Sequence, residues 1–111
     1  MKSLKWSGGS LEALREFPDT ARQQAGYQLY RVQNGLEPSD WKSMSAIGPG
    51  AREIRIQAKD QFRIIYLASF EEAVYVLHAF QKKTRKTPKH DLALARSRFK
   101  ELIKERKKKE L

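Results

Sequence analysis

The sequence predicts an α+β domain in which a helical hairpin packs on a mostly antiparallel sheet. Three observations predict it. Residues 53–80 hold three runs rich in β-branched and aromatic side chains, separated by short polar turns, as in a strand meander. Ahead of them, Ala21, Ala25, Leu29 and Val32 recur at helical spacing. After them, residues 91–111 combine an apolar stripe with dense Lys and Arg, the pattern of a basic helix and tail. The expected order is β-α-α-β-β-β-α.

Each element has a local cause. Lys2-Ser3-Leu4-Lys5-Trp6 alternates polar and apolar side chains, as a half-buried strand does, and Gly8-Gly9 ends it. Ser10 is placed to cap a short helix over residues 11–17. Pro18 interrupts, Asp19 opens the second helix, and Asn34-Gly35 stops it. Residues 37–50 read as a connector, with breakers at Pro38, Gly48, Pro49 and Gly50, and with Trp41, Met44 and Ile47 plugging the edge of the core. Glu53-Ile54-Arg55-Ile56-Gln57 alternates cleanly, and Ala58-Lys59-Asp60 suits a tight turn. Residues 62–67 form the next strand, and the apolar run 73–80 belongs mid-sheet. Thr87 then caps a last helix whose stripe is Leu92, Ala95, Phe99, Leu102 and Ile103.

With 111 residues the chain suits a single domain over residues 1–111. It contains no cysteine, so disulfides, thiolate metal sites and cysteine nucleophiles are excluded, and a reducing cytoplasm is the expected compartment. No apolar run reaches membrane-spanning length, and residues 1–10 are too polar for a signal peptide. Net charge is +10, and it is unevenly spread. Residues 1–80 carry ten basic and nine acidic side chains, whereas residues 81–111 carry thirteen and four. Polyanions are the natural partners of such a segment, although Lys107 to Lys109 alone would serve only solubility.

One constellation carries chemistry. Alternation puts Glu53, Arg55 and Gln57 on one strand face, and a meander would bring Arg55, Arg63 and the pair Lys82-Lys83 together. Arg63 lies between Phe62 and Ile64 in an apolar strand, so its charge needs either a carboxylate such as Glu53 or a ligand. His78, among Val76, Leu77, Ala79 and Phe80, reads as a hydrogen-bonded core histidine, and His90 as an exposed one. The two histidines make no metal-ligand pattern with nearby carboxylates, so neither metal nor cofactor is expected.

The run Val76-Leu77-His78-Ala79-Phe80-Gln81-Lys82-Lys83-Thr84-Arg85-Lys86-Thr87-Pro88 resembles the signature of a phage-type branch of the RelE/HigB toxin superfamily. Ala51-Arg52-Glu53-Ile54-Arg55 and Phe62-Arg63-Ile64-Ile65-Tyr66 resemble its two arginine-bearing strands, and the likeness runs over residues 1–103. The resemblance implies a RelE-like fold and a type II toxin that cuts messenger RNA on the ribosome without a metal. It also implies an antitoxin partner, often of helix-turn-helix type, and no membrane. By position Arg55, Arg63, Lys82 and Lys83 match the catalytic face, while Phe80, Arg85 and Lys86 fall where RNA contacts are expected. Relatives often place a Tyr or His near the C-terminus for proton transfer; here His90 is the one histidine of the last helix, which leaves the general base open. Two other readings share the fold or the charge: a ParE-like toxin of DNA gyrase, and a non-catalytic nucleic-acid-binding accessory protein.

Overall fold

The computed structural model describes residues 1–109. It contains β1 (Ser3–Trp6), α1 (Ser10–Arg15), α2 (Asp19–Gln33), β2 (Trp41–Ser43), β3 (Ala51–Ala58), β4 (Asp60–Leu67), β5 (Ala73–Lys82) and α3 (Lys89–Lys109). The strands form one mixed sheet in the order β1-β5-β4-β3-β2. β1 runs parallel to β5, and the other pairings are antiparallel. Among the described residues no helix is long and apolar enough to cross a membrane.

Helices cover both faces of the sheet, and two cores result. On one side Ala21, Ala25, Leu29 and Val32 of α2 and Leu14 of α1 pack on Ile54, Ile56, Phe62, Ile64, Tyr66, Val74 and Val76. On the other, Ala95, Phe99 and Leu102 of α3 pack on Ile65, Leu67, Tyr75 and Leu77, with Met44 and Ile47 filling the edge. The clean alternation within β3 and β4 is what assigns their side chains to these two cores.

Several local expectations are corrected. The connector 37–50 contains β2, which pairs with β3 from Trp41 opposite Ile54 to Ser43 opposite Arg52, so the sheet gains a fifth strand. Three residues show a single alternation, too little for periodicity to register. Of the connector's large apolar residues, Met44 and Ile47 are buried, whereas Trp41 stays half-exposed and carries the Arg52 guanidinium over its ring at 4.0 Å. Ser10 does not cap α1: it is fully buried, and its hydroxyl donates to the Val76 carbonyl at 2.9 Å, tying the helix to β5. Thr87 lies two residues ahead of α3, and its hydroxyl donates to Glu53 Oε2 at 3.4 Å.

The stop of α2 follows the expected chemistry. Gly35 has φ of +80°, the Leu36 N–H donates to the Arg31 carbonyl and the Gly35 N–H to that of Val32. This double closure of a helix end suits glycine, which has no Cβ to clash in the left-handed region.

α3 separates its cations by type. Arg96 donates to the Ala46 carbonyl, Arg98 to the Leu77 carbonyl, and Arg106 pairs with Glu72 while lying over the Phe70 ring at 3.5 Å. These three arginines fasten the helix to the sheet and to the connector. Three of the nine cations on this helix are therefore engaged within the fold, and the other six are lysines.

Candidate functional site

The site lies on the α3 side of the sheet, where β3, β4 and β5 run on past the helix. Pairing sets Arg55 directly opposite Arg63, Arg63 opposite Phe80, and Gln61 opposite Lys82. Strand alternation puts Glu53 on the same face as Arg55, two residues away. Two like charges directly opposite in an antiparallel pair are unfavourable. Something must offset them.

Glu53 offsets them. It is fully buried, and its Oε1 lies 3.6 Å from Arg63 Nε and 3.8 Å from Arg55 Nε. Both distances are ion-pair contacts too long for hydrogen bonds, and all three atoms are sealed from solvent without a hydrogen-bond partner. Arg63 is 7% exposed; its Nη1 donates to its neighbour's carbonyl, Phe62 O, at 2.9 Å, and to Gln61 Oε1 at 3.3 Å. Burial pulls the Arg63 guanidinium down from its ordinary value, Glu53 pushes it back up, and Arg55 lowers it again. An arginine stays cationic through such shifts.

Lys82 completes the group. Partial burial lowers its ammonium below the ordinary lysine value, and the charge of Arg63 adds to the effect. Lys83 follows the last residue of β5 and is exposed. Arg85 and Lys86 stand exposed in the segment between β5 and α3. Phe80 is 8% exposed, with its ring stacked on His78 at 5.2 Å and an interplanar angle of 18°. That is the packing of a core aromatic, with one ring face covered by His78.

His78 shows why strand parity alone misplaces a side chain. β5 carries an irregularity against β4: Ile65 pairs with His78 but Tyr66 pairs with Val76. The extra residue, Leu77, lets both Leu77 and His78 face α3. The His78 ring lies between Asp91 Oδ1, 2.6 Å from Nε2, and Arg98 Nη1, 3.3 Å from Nδ1. Arginine can only donate, so Nδ1 accepts and the neutral ring presents Nε2–H to Asp91. Burial lowers the His78 pKa, Asp91 opposes this, and Arg98 and His90 reinforce it. The unfolded chain therefore takes up the proton first as pH drops below about 6.5. Stability is expected to fall as pH is lowered through that value towards the folded pKa. Denaturant titrations at stepped pH should show this slope, and His78→Gln should flatten it; an equal slope in both proteins would rule out His78 as its source.

Two members of the site escape a reading of the sequence. Glu53 is visible there only as a possible partner of Arg63, whereas it sits beneath both arginines. Lys42 is invisible without β2: opposite Glu53 in the register, it joins the same face and is exposed. Among the described residues no group of His, Cys, Asp and Glu is arranged to hold a metal ion. Chemically, a set of cations around one buried carboxylate can bind an oxyanion, and the lysine with a depressed pKa can move a proton.

The family model described as "Phage derived protein Gp49-like (DUF891)" matches residues 12–100. No curated protein matches the chain. Among solved structures, the chain is similar to the E. coli toxin RelE, in the free state with two arginines replaced by alanine. Identity to it is 19% over 74% of this chain and 84% of that one, with a TM-score of 0.59, so the likeness is one of fold.

Proposed function

We propose, from the premise that this chain belongs to the phage-derived Gp49-like family, a toxin family of the RelE/HigB type, that it is a ribosome-dependent messenger-RNA endonuclease. The observation that carries the reading is the opposed pair Arg55 and Arg63 over one buried carboxylate, with Lys82 beside them. Three cations against Glu53 leave a local excess that a phosphate would neutralise. The cutting reaction is attack of the 2′-oxygen on the adjacent phosphorus. The 2′-hydroxyl loses its proton, the new P–O bond closes a cyclic phosphate, and the bond to the 5′-oxygen breaks as that oxygen takes a proton. In this reading Arg55 and Arg63 hold the non-bridging oxygens of the crowded phosphorane. Lys82, with its lowered pKa, exchanges a proton with the reacting oxygens. Lys83, Arg85 and Lys86 are exposed beside the site and contact the RNA further along. His78 is committed to Asp91 and Arg98 and takes no part.

The family implies an antitoxin partner, which we take to be of helix-turn-helix type. The ribosome is the second partner, and it places the action in the cytoplasm. The test is induction of the wild type and of Arg63→Ala in cells, followed by mapping of messenger-RNA 5′ ends. Wild-type induction should arrest growth and create new ends in translated frames; the variant should do neither. Growth arrest with no new ends would overturn the nuclease reading and direct attention to gyrase.

A further inference from the structure

β2 turns the basic site into a track. Lys42 on β2 is opposite Glu53 on β3, Arg55 on β3 is opposite Arg63 on β4, and Lys82 on β5 is opposite Gln61, two residues from Arg63 along β4. All four cations thus fall on the α3 side of the sheet, one per strand over four neighbouring strands. They do not line up straight across. Each end of the series is displaced by two residues along the strands, in opposite senses, so the line is a diagonal. With strands about 4.8 Å apart and a rise of about 3.3 Å per residue, it spans roughly 20 Å.

The charges along it are unbalanced. Glu53 lies beneath the middle, and Asp40, exposed at the β2 end, is close enough to act on Arg63. Four cations therefore face two carboxylates. Lys42 itself makes no salt bridge among the described residues. A single file of cations, one per strand, suits the backbone of one extended nucleic-acid strand better than the two ridges of a duplex.

We propose that Lys42, Arg55, Arg63 and Lys82 form a diagonal track for the backbone of single-stranded RNA, with the reacting phosphate at Arg55, Arg63 and Lys82 and a neighbouring phosphate at Lys42, where the strand enters or leaves over the free edge of β2. This rests on the reading of the face as an RNA site, and it adds the direction of the strand and a residue outside the reacting centre.

The probe is a fluorescein-labelled 2′-O-methyl hexanucleotide, which cannot be cleaved, bound to the full chain and followed by anisotropy over a range of KCl concentrations. Two neutralised phosphates on a single strand, the reacting one and the one at Lys42, predict a slope of about −1.4 for log K against log salt. Lys42→Ala should reduce its magnitude by about 0.7, the loss of one phosphate contact. Lys107→Ala, at an exposed lysine on α3, is the control and should leave the slope unchanged. Absence of binding by the wild type, an unchanged slope in Lys42→Ala, or an equal change in the control would each overturn the track. The underlying reading fails differently. If Lys42→Ala lowers the slope but induction yields no RNA cuts, the track stands and the nuclease does not; cuts with an unchanged slope mean the reverse.

Discussion

Replacing Glu53 with alanine is expected to cost about 3–5 kcal/mol of unfolding free energy, the loss typical of removing one partner from a buried ion pair. The carboxylate is fully buried and is the nearest counter-charge to both Arg55 and Arg63. Without it, two guanidinium groups face each other across β3 and β4, and Arg63, at 7% exposure, cannot turn to water for relief. Urea denaturation followed by circular dichroism reads the loss. A decrease below about 1 kcal/mol would show that Glu53 does not hold the arginines. The double variant Glu53→Leu/Arg63→Met separates stability from function. Replacing a buried pair by apolar groups of similar volume is often neutral or stabilising. The double variant should therefore regain most of the lost stability while remaining inactive. Recovery of activity along with stability would mean that the pair serves the fold alone.

Such a carboxylate could be placed from sequence only halfway. Strict alternation in residues 53–57 put Glu53 and Arg55 on one face, and the arginine inside an apolar strand flagged Arg63, because both signals live within single strands. What lies between strands was harder to read. Lys42 joins the site through a three-residue edge strand, and its only signature is a partner 11 positions away in β3. His78 reaches α3 because of the irregularity at Leu77, and a run as uniformly apolar as 73–80 has no alternation in which an extra residue would show. Lys82 and Lys83 looked like a unit in the sequence, yet β5 ends between them. Charge counting also does not separate the arginines of the last helix from its lysines. Its arginines differ from its lysines in having planar, multi-donor heads that can cap carbonyls and stack on rings, and Arg96, Arg98 and Arg106 are used that way. The fold class survives all of these differences because it depends on the two periodicities, which a misread connector does not disturb.

On the nuclease reading, Arg63→Lys is expected to reduce single-turnover cleavage of messenger RNA on programmed ribosomes by about 10²–10³-fold, the usual cost of losing a donor aimed at a transition-state oxyanion. The substitution keeps the charge, so it isolates geometry. A guanidinium can offer two parallel N–H groups to two phosphate oxygens while a third remains for Phe62 O or Gln61. An ammonium is a point charge on a flexible stem; at this position it would satisfy either the protein or the phosphorane. The 3.6 Å contact to Glu53 matters here: Arg63 Nε is held by charge without a hydrogen bond, so that N–H stays available to an incoming phosphate. Lysine retains the pairing with Glu53, so stability should change far less than in Glu53→Ala, and a thermal melt distinguishes a misfolded variant from an inactive one. Cleavage within about threefold of wild type would show that charge alone suffices at this position. The opposed arginines would then serve as electrostatic steering for RNA, and stabilisation of the phosphorane would fall to Lys82 and the ribosome.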